Sequence, residues 1–225
     1  NIIIVRKDIT NLSQLKKSIN NTKLIKINRP TTGQASTCMI GCKNIQNNQP
    51  ITFAACDNGM IYNEKKFINL FNNDKVDIIV WGARGYPGAY RNPNMYGWIN
   101  TYKNSNEIKK ISVKKKLKDP YLDPVVLGTF TFKNKKIFKE SFSQLKKNKN
   151  KINNEYYLDS CINEAINLKY KCYYFEVDYS LCWGTPSDLK TFEYWQACFS
   201  KWNFHPYKLA KDKRVNIKMI SNQFL

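Results

Sequence analysis

Asp57 is the residue whose setting most directly suggests chemistry, because it comes just after the apolar run Ile51 to Ala55 and just before Asn58 and Gly59. A short apolar run reads as a buried strand, and in an open α/β sheet ligands gather beyond the carboxyl ends of the strands. A carboxylate at that point can hold a metal over a bound phosphate. Asp-Asn-Gly is equally a favoured turn in which the aspartate stabilises its own loop, and the residues alone leave both readings open. Trp98 and Trp183 could stack on a sugar or a base; Trp98 is expected in the core, and Trp183 stays open between the two roles. The Gly- and Pro-rich stretch Gly82 to Tyr90 reads as a lid or an interface loop.

Other side chains point away from chemistry. The seven cysteines include no Cys-x-x-Cys pair and the chain has one histidine, His205, so a structural zinc site has almost no ligands. The thiols read as reduced and buried, the habit of a cytoplasmic protein. His205, beside Pro206 and without a visible partner, reads as a surface or packing residue.

Positioning these groups requires alternating strands and helices. Ile2 to Val5, Lys23 to Ile27, Ile51 to Ala55 and Val76 to Trp81 are strand-like. Between them, Leu12, Leu15 and Ile19 fall at helical spacing, and Ala35 to Cys42 and Glu64 to Phe71 read as helices. Further on, Tyr96 to Tyr102, Ile108 to Val113, Val125 to Phe132 and Tyr173 to Val177 read as strands. Lys135 to Leu145, Glu155 to Leu168 and a last segment from Ser187, with Ser187 as cap, read as helices. This order predicts an α/β protein with a mostly parallel sheet covered by helices on both faces.

Composition bounds the rest. The 225 residues are 42% hydrophobic, enough for a real core, and no apolar run approaches the roughly 18 residues of a membrane span. No secretory signal is visible. Net charge is +20, yet only five of the 37 basic residues are arginine and the lysines are spread throughout, so general affinity for polyanions is expected and sequence-specific nucleic-acid binding is not. Lys146 to Lys151 reads as a solvated loop or helix end.

A resemblance follows from motifs taken in order: Thr32-Gly33-Gln34-Ala35, Phe53 to Asp57, Asn94 to Trp98, Ile111 to Lys116, Leu127-Gly128-Thr129-Phe130 and Trp183 to Leu189. Together they resemble the sugar-phosphate nucleotidyltransferase family, in its capsular or surface-polysaccharide branches. The resemblance implies a GT-A-like, Rossmann-related fold and transfer of a nucleotidyl group from a nucleoside triphosphate to a sugar 1-phosphate, with Mg2+ as cofactor and pyrophosphate as the second product. It also implies a cytoplasmic setting and is compatible with a homo-oligomer. It makes residues 1–200 the catalytic domain and 201–225 a C-terminal tail. By the same resemblance Gly33 and Gln34 meet the nucleotide and Asp57 binds the metal; Tyr96, Gly97, Gly128 and Trp183 form the sugar site; Lys116 holds the sugar phosphate.

Three departures from the pattern matter. Lys115 stands where a Glu is usual, which leaves Lys114 and Lys116 as alternatives. Cys182 stands where a second metal-binding Asp is usual, with Asp178 as the nearest upstream substitute. The N-terminal Gly-rich loop that cradles the triphosphate is missing, so the chain is expected to be part of a longer protein and inactive by itself. A GT-A glycosyltransferase is the alternative within the fold, disfavoured by a single Asp at Cys56 to Gly59; a noncatalytic nucleotide- or sugar-binding domain is the other.

Overall fold

The computed structural model describes residues 1–9, 12, 21–213 and 215. The helix expected over Leu12, Leu15 and Ile19 lies outside the described residues apart from Leu12, as does most of the tail beyond residue 213. The chain forms two compact units, residues 1–55 with 62–178, and residues 56–61 with 179–225.

In the first unit β1 (Ile2–Arg6) and β2 (Lys23–Ile27) pair in parallel. A six-stranded sheet is built from β3 (Ile51–Phe53), β5 (Ile78–Ala83), β6 (Gly97–Thr101), β7 (Ile108–Val113), β8 (Val125–Phe132) and β9 (Cys172–Glu176), in the order β7-β6-β8-β5-β9 with β3 also on β8. The expected parallel pairing needs correction here. Within this sheet β5 and β9 run parallel, whereas β3 with β8, β5 with β8, β6 with β7 and β6 with β8 are antiparallel. The alternation of strand and helix stops after β5, and strands joined by loops instead of covering helices return antiparallel.

Helices cover both faces, as expected. On one face α1 (Gln34–Gly41), α4 (Lys135–Lys147) and α5 (Leu158–Asn167) close a core with Val80, Phe130, Phe132 and Tyr174 of the sheet. Phe138 of α4 meets Phe53 at 4.5 Å and Phe132 at 5.4 Å in edge-on contacts, each buried ring adding about 1.5–3 kcal/mol. On the other face Phe67 of α2 (Glu64–Asn72) and Tyr62 pack on Trp81 and Phe175, the alternate residues of β5 and β9. Buried Glu164 of α5 accepts from the amides of Asn148 and Asn150, which ties down the loop between α4 and α5.

The second unit was not anticipated as strands. Its β4 (Asn58–Ile61) and β10 (Tyr179–Cys182) form an antiparallel pair, followed by α6 (Pro186–Lys201). The cap of α6 is Thr185 and not Ser187. Thr185 Oγ1 accepts from Asp188 N at 3.1 Å and donates to Asp188 Oδ2 at 2.7 Å, and Pro186 takes the first helical position, where its lack of an N–H costs nothing. His205 packs as expected, stacked on Phe199 at 4.7 Å.

Candidate functional site

Gly33 immediately precedes α1 with φ of 111°, a region nearly closed to other residues. The space also demands glycine: a Cβ there would stand 2.6 Å from Tyr156 N. This close approach lets the Thr32–Ala35 turn bond to the segment entering α5, with Tyr156 N donating to Thr32 O at 2.8 Å and Ala35 N to Tyr156 O at 3.0 Å. Gly33 is buried beneath the Glu155–Tyr156 segment, and Gln34 is exposed beside it.

From Tyr156 the chain passes through Tyr157, which precedes α5, into Asp159 in its first turn. The Asp159 carboxylate lies against Gly97, where a Cβ would collide with Oδ2. Gly97 is therefore required by packing at the start of β6. Lys114 arrives from the end of β7: its N donates to Tyr96 O at 3.1 Å, and its ammonium donates to Met95 O at 2.5 Å and stands 5.5 Å from the Tyr157 ring centre. Tyr96 in turn meets Tyr86 edge-on at 5.9 Å. The first unit thus brings Gly33, Tyr157, Asp159, Gly97, Tyr96 and Lys114 into one continuous chain of contacts.

Asp159 was not singled out from the sequence. Part of the residue reaches solvent, yet the packing around its carboxyl raises the pKa to about 6, desolvation outweighing the opposing pull of Lys114 and of its own backbone N–H. A carboxylate in the first turn of a helix is ordinarily helped to ionise, so burial has won here. A signal existed in the sequence: an Asp flanked by Leu158 and Ser160-Cys161 on an apolar helix face, after two tyrosines.

The lysine register is corrected. An extended chain through Lys116 was expected, with Lys114 and Lys116 on one face, but the strand ends at Val113 and Lys114 adopts φ of 54°. The left-handed residue turns the chain and breaks the alternation, helped by Ser112 Oγ donating to Lys115 O at 2.6 Å. Lys115 and Lys116 are exposed, and only Lys114 is brought to Tyr96.

Gly128 interrupts β8 with φ of 70°, at the shift of register between β5 and β8, and its carbonyl accepts from Ala55 N at 3.2 Å. Next to it the hydroxyl of Thr129 is buried with no hydrogen-bond partner among the described residues. Trp98 is fully buried and donates to Pro93 O at 2.8 Å, a core residue as expected. The Gly82 to Tyr90 stretch is largely ordered, ending β5 and entering the short α3 (Pro87–Arg91), with Tyr90 against Tyr121 at 4.2 Å.

In the second unit Asp57 is exposed in the turn that opens β4, and Trp183 N donates to its carbonyl at 2.7 Å. A Cβ at Gly184 would stand 2.9 Å from Asp57 Oδ2, so the Gly of Gly-Thr-Pro makes room for that carboxylate. Cys182 Sγ accepts from Gly184 N at 3.4 Å. Trp183 packs across Gly59 and against Phe192, and its indole N–H is buried with no hydrogen-bond partner among the described residues. Asp178 is exposed and closes the first unit.

Among the described residues no group of three His, Cys, Asp or Glu could hold a metal. Asp57 is a hard oxygen donor, which suits magnesium carried on a triphosphate, since that ion keeps its waters and phosphate ligands; the soft sulfur of Cys182 does not. The cysteines are all unpaired, and burial pushes Cys38 up to about 12 and Cys42 to about 11, leaving both as inert thiols.

No protein-family model and no curated protein sequence matches the chain. Solved structures do resemble it. A nucleoside-diphosphate-sugar pyrophosphorylase from Vibrio cholerae superposes with a TM-score of 0.68 at 15% identity, over 85% of this chain and 79% of that one. The inositol-1-phosphate CTP transferase of T. maritima gives 0.61 at 13% identity, over 83% and 71%. An apo UDP-glucose pyrophosphorylase gives 0.60 at 15%, over 83% and 77%. The likeness establishes the fold: a mixed α/β, Rossmann-like architecture shared with sugar-nucleotide pyrophosphorylases.

Proposed function

We propose that the chain is a nucleotidyltransferase domain that joins a nucleoside triphosphate to a sugar 1-phosphate and releases pyrophosphate, supplying nucleotide sugars for surface polysaccharide in the cytoplasm. The observation that carries the reading is the continuous strip from Gly33 through Tyr156 and Asp159 to Gly97 and Lys114, on a fold shared with enzymes of that reaction.

In this reading the Thr32–Ala35 turn borders a planar base and the exposed Gln34 reaches its edge. Tyr96, Gly97 and Gly128 floor the sugar site. Lys114 takes the place first assigned to Lys116 and holds the sugar phosphate, placing one phosphate oxygen in line with the α-phosphorus. Two anions must meet, so cationic groups have to offset their repulsion. Asp57 is the ligand proposed for magnesium; when bound, the ion would neutralise charge on the departing pyrophosphate.

Calorimetric titration with a sugar 1-phosphate and with a nucleotide sugar tests the reading, with pyrophosphate release followed in the full-length protein. Binding of both ligands, each displacing the other, is the expected result. Failure of both to bind would overturn it.

A further inference from the structure

The anion site of the strip contains a negative charge of its own. Asp159 lies within electrostatic reach of Lys114, yet the two form no ion pair, because the Lys114 ammonium is committed to Met95 O and the Tyr157 ring. Outside its own helix turn the carboxylate has no hydrogen-bond donor among the described residues, and it lies against Gly97, where a Cβ would collide with Oδ2. Desolvated carboxylates are costly unless paired. A phosphate arriving at Lys114 makes matters worse, since it claims the one nearby cation and adds a second anion beside the first. A neutral hydroxyl donates one hydrogen bond and leaves the repulsion standing. A substrate bearing positive charge next to its phosphate removes both difficulties together.

Resting on the nucleotidyl-transfer reading, we infer that the phosphate-bearing substrate carries a protonated amine close to its phosphate, and that Asp159 is the specificity-determining residue that receives this ammonium while Lys114 holds the phosphate. Tyr157, whose ring already faces the Lys114 ammonium, and Tyr96, which precedes Gly97 and meets Tyr86, supply aromatic rings, which attract cations and add no competing charge. Asp159 lies against Gly97 and Lys114 N donates to the neighbouring Tyr96 O, so the amine and the phosphate belong near each other on one substrate. A 2-amino sugar 1-phosphate has this arrangement. Gly97 follows from the same logic, because any side chain there would occupy the space of the carboxylate.

The probes are glucosamine 1-phosphate and glucose 1-phosphate, which differ only in the ammonium or hydroxyl at carbon 2, titrated calorimetrically at pH 7 into the purified chain and into Asp159→Asn, which keeps the side-chain shape. The wild type should bind glucosamine 1-phosphate about tenfold more tightly or better, the scale of one charge-assisted hydrogen bond. In Asp159→Asn that preference should fall to about onefold, glucose 1-phosphate binding as well as before or better once the repulsive charge is gone. Equal affinities in the wild type, or an amine preference that survives in Asp159→Asn, would overturn the inference while leaving nucleotidyl transfer intact. Binding of neither sugar phosphate would remove the nucleotidyl-transfer reading, and this inference with it. Circular dichroism of the variant confirms that its fold is retained.

Discussion

Replacing Asp159 with Asn removes a desolvated negative charge and keeps the shape of the side chain, so its effect on stability can be worked out from the structure. Burial lifts this carboxyl from its ordinary 3.8 to about 6, against the opposing pull of Lys114. The folded protein therefore holds a proton that the unfolded chain has released between about pH 4 and pH 6. Stability falls as pH rises through that window, because there the native state binds more protons. Above pH 6 the full cost applies; below pH 4 both states are protonated and the cost vanishes. A displacement of this size corresponds to about 3 kcal/mol, and relaxation together with the favourable helix N-terminus trims it to roughly 1–3 kcal/mol. For a chain of this length each kcal/mol moves Tm by about 2–4 °C. Asp159→Asn should therefore melt several degrees higher at pH 7.5 and within about a degree of the wild type at pH 4, by differential scanning calorimetry. No gain at pH 7.5, or an equal gain at both pH values, would show that the carboxylate is not under this strain. A residue that destabilises its own fold at neutral pH is the pattern expected of a group kept for binding.

Three further outcomes follow from the same geometry. Gly97→Ala should lose about 1–3 kcal/mol in urea unfolding, because its methyl meets Asp159, and adding Asp159→Ser should recover most of that loss. In the full-length protein, Lys114→Ala should raise the KM for sugar 1-phosphate far more than that for the triphosphate, while Lys116→Ala, an exposed position, should change neither by more than about twofold. In the full-length protein, Asp57→Asn should slow pyrophosphate release on the order of a hundredfold, measured by a coupled phosphate assay with magnesium present.

Much of the fold could be read from local pattern. Ile108 to Val113 and Val125 to Phe132 are strands over the expected residues, each an apolar segment bounded by charge or proline. What local pattern does not encode is the partner. The apolar face of β8 reads the same whether its neighbour runs parallel or antiparallel, so the direction of pairing had to come from the structure. The β4–β10 pair escaped for a related reason: Asn58–Ile61 and Tyr179–Cys182 are four residues each and half-exposed, too short to show a period. Glycine was the more telling signal in the site. Gly33, Gly97 and Gly184 each sit where another chain segment presses on the backbone, and all three lie in motifs that the sequence had marked.

The lysine run shows where reading from sequence stops. Three consecutive lysines carry the same charge, so only backbone geometry can choose among them, and alternation along a strand chooses correctly only while the strand lasts. It ends at Val113, and Lys114 takes a left-handed turn that a lysine adopts at some cost. Such a cost persists when the surroundings fix the residue, and here they do: Tyr96 O holds its N–H and Met95 O holds its ammonium. The strain at Lys114 and the desolvation at Asp159 are thus two local penalties joined through Tyr96 and Gly97, on elements that otherwise obey ordinary packing rules. Neither penalty is visible in residue type, since lysine and aspartate are commonest where they cost nothing. Both become intelligible once the pair is seen as a prepared dipole, one end for a phosphate and the other for a cation on the same substrate.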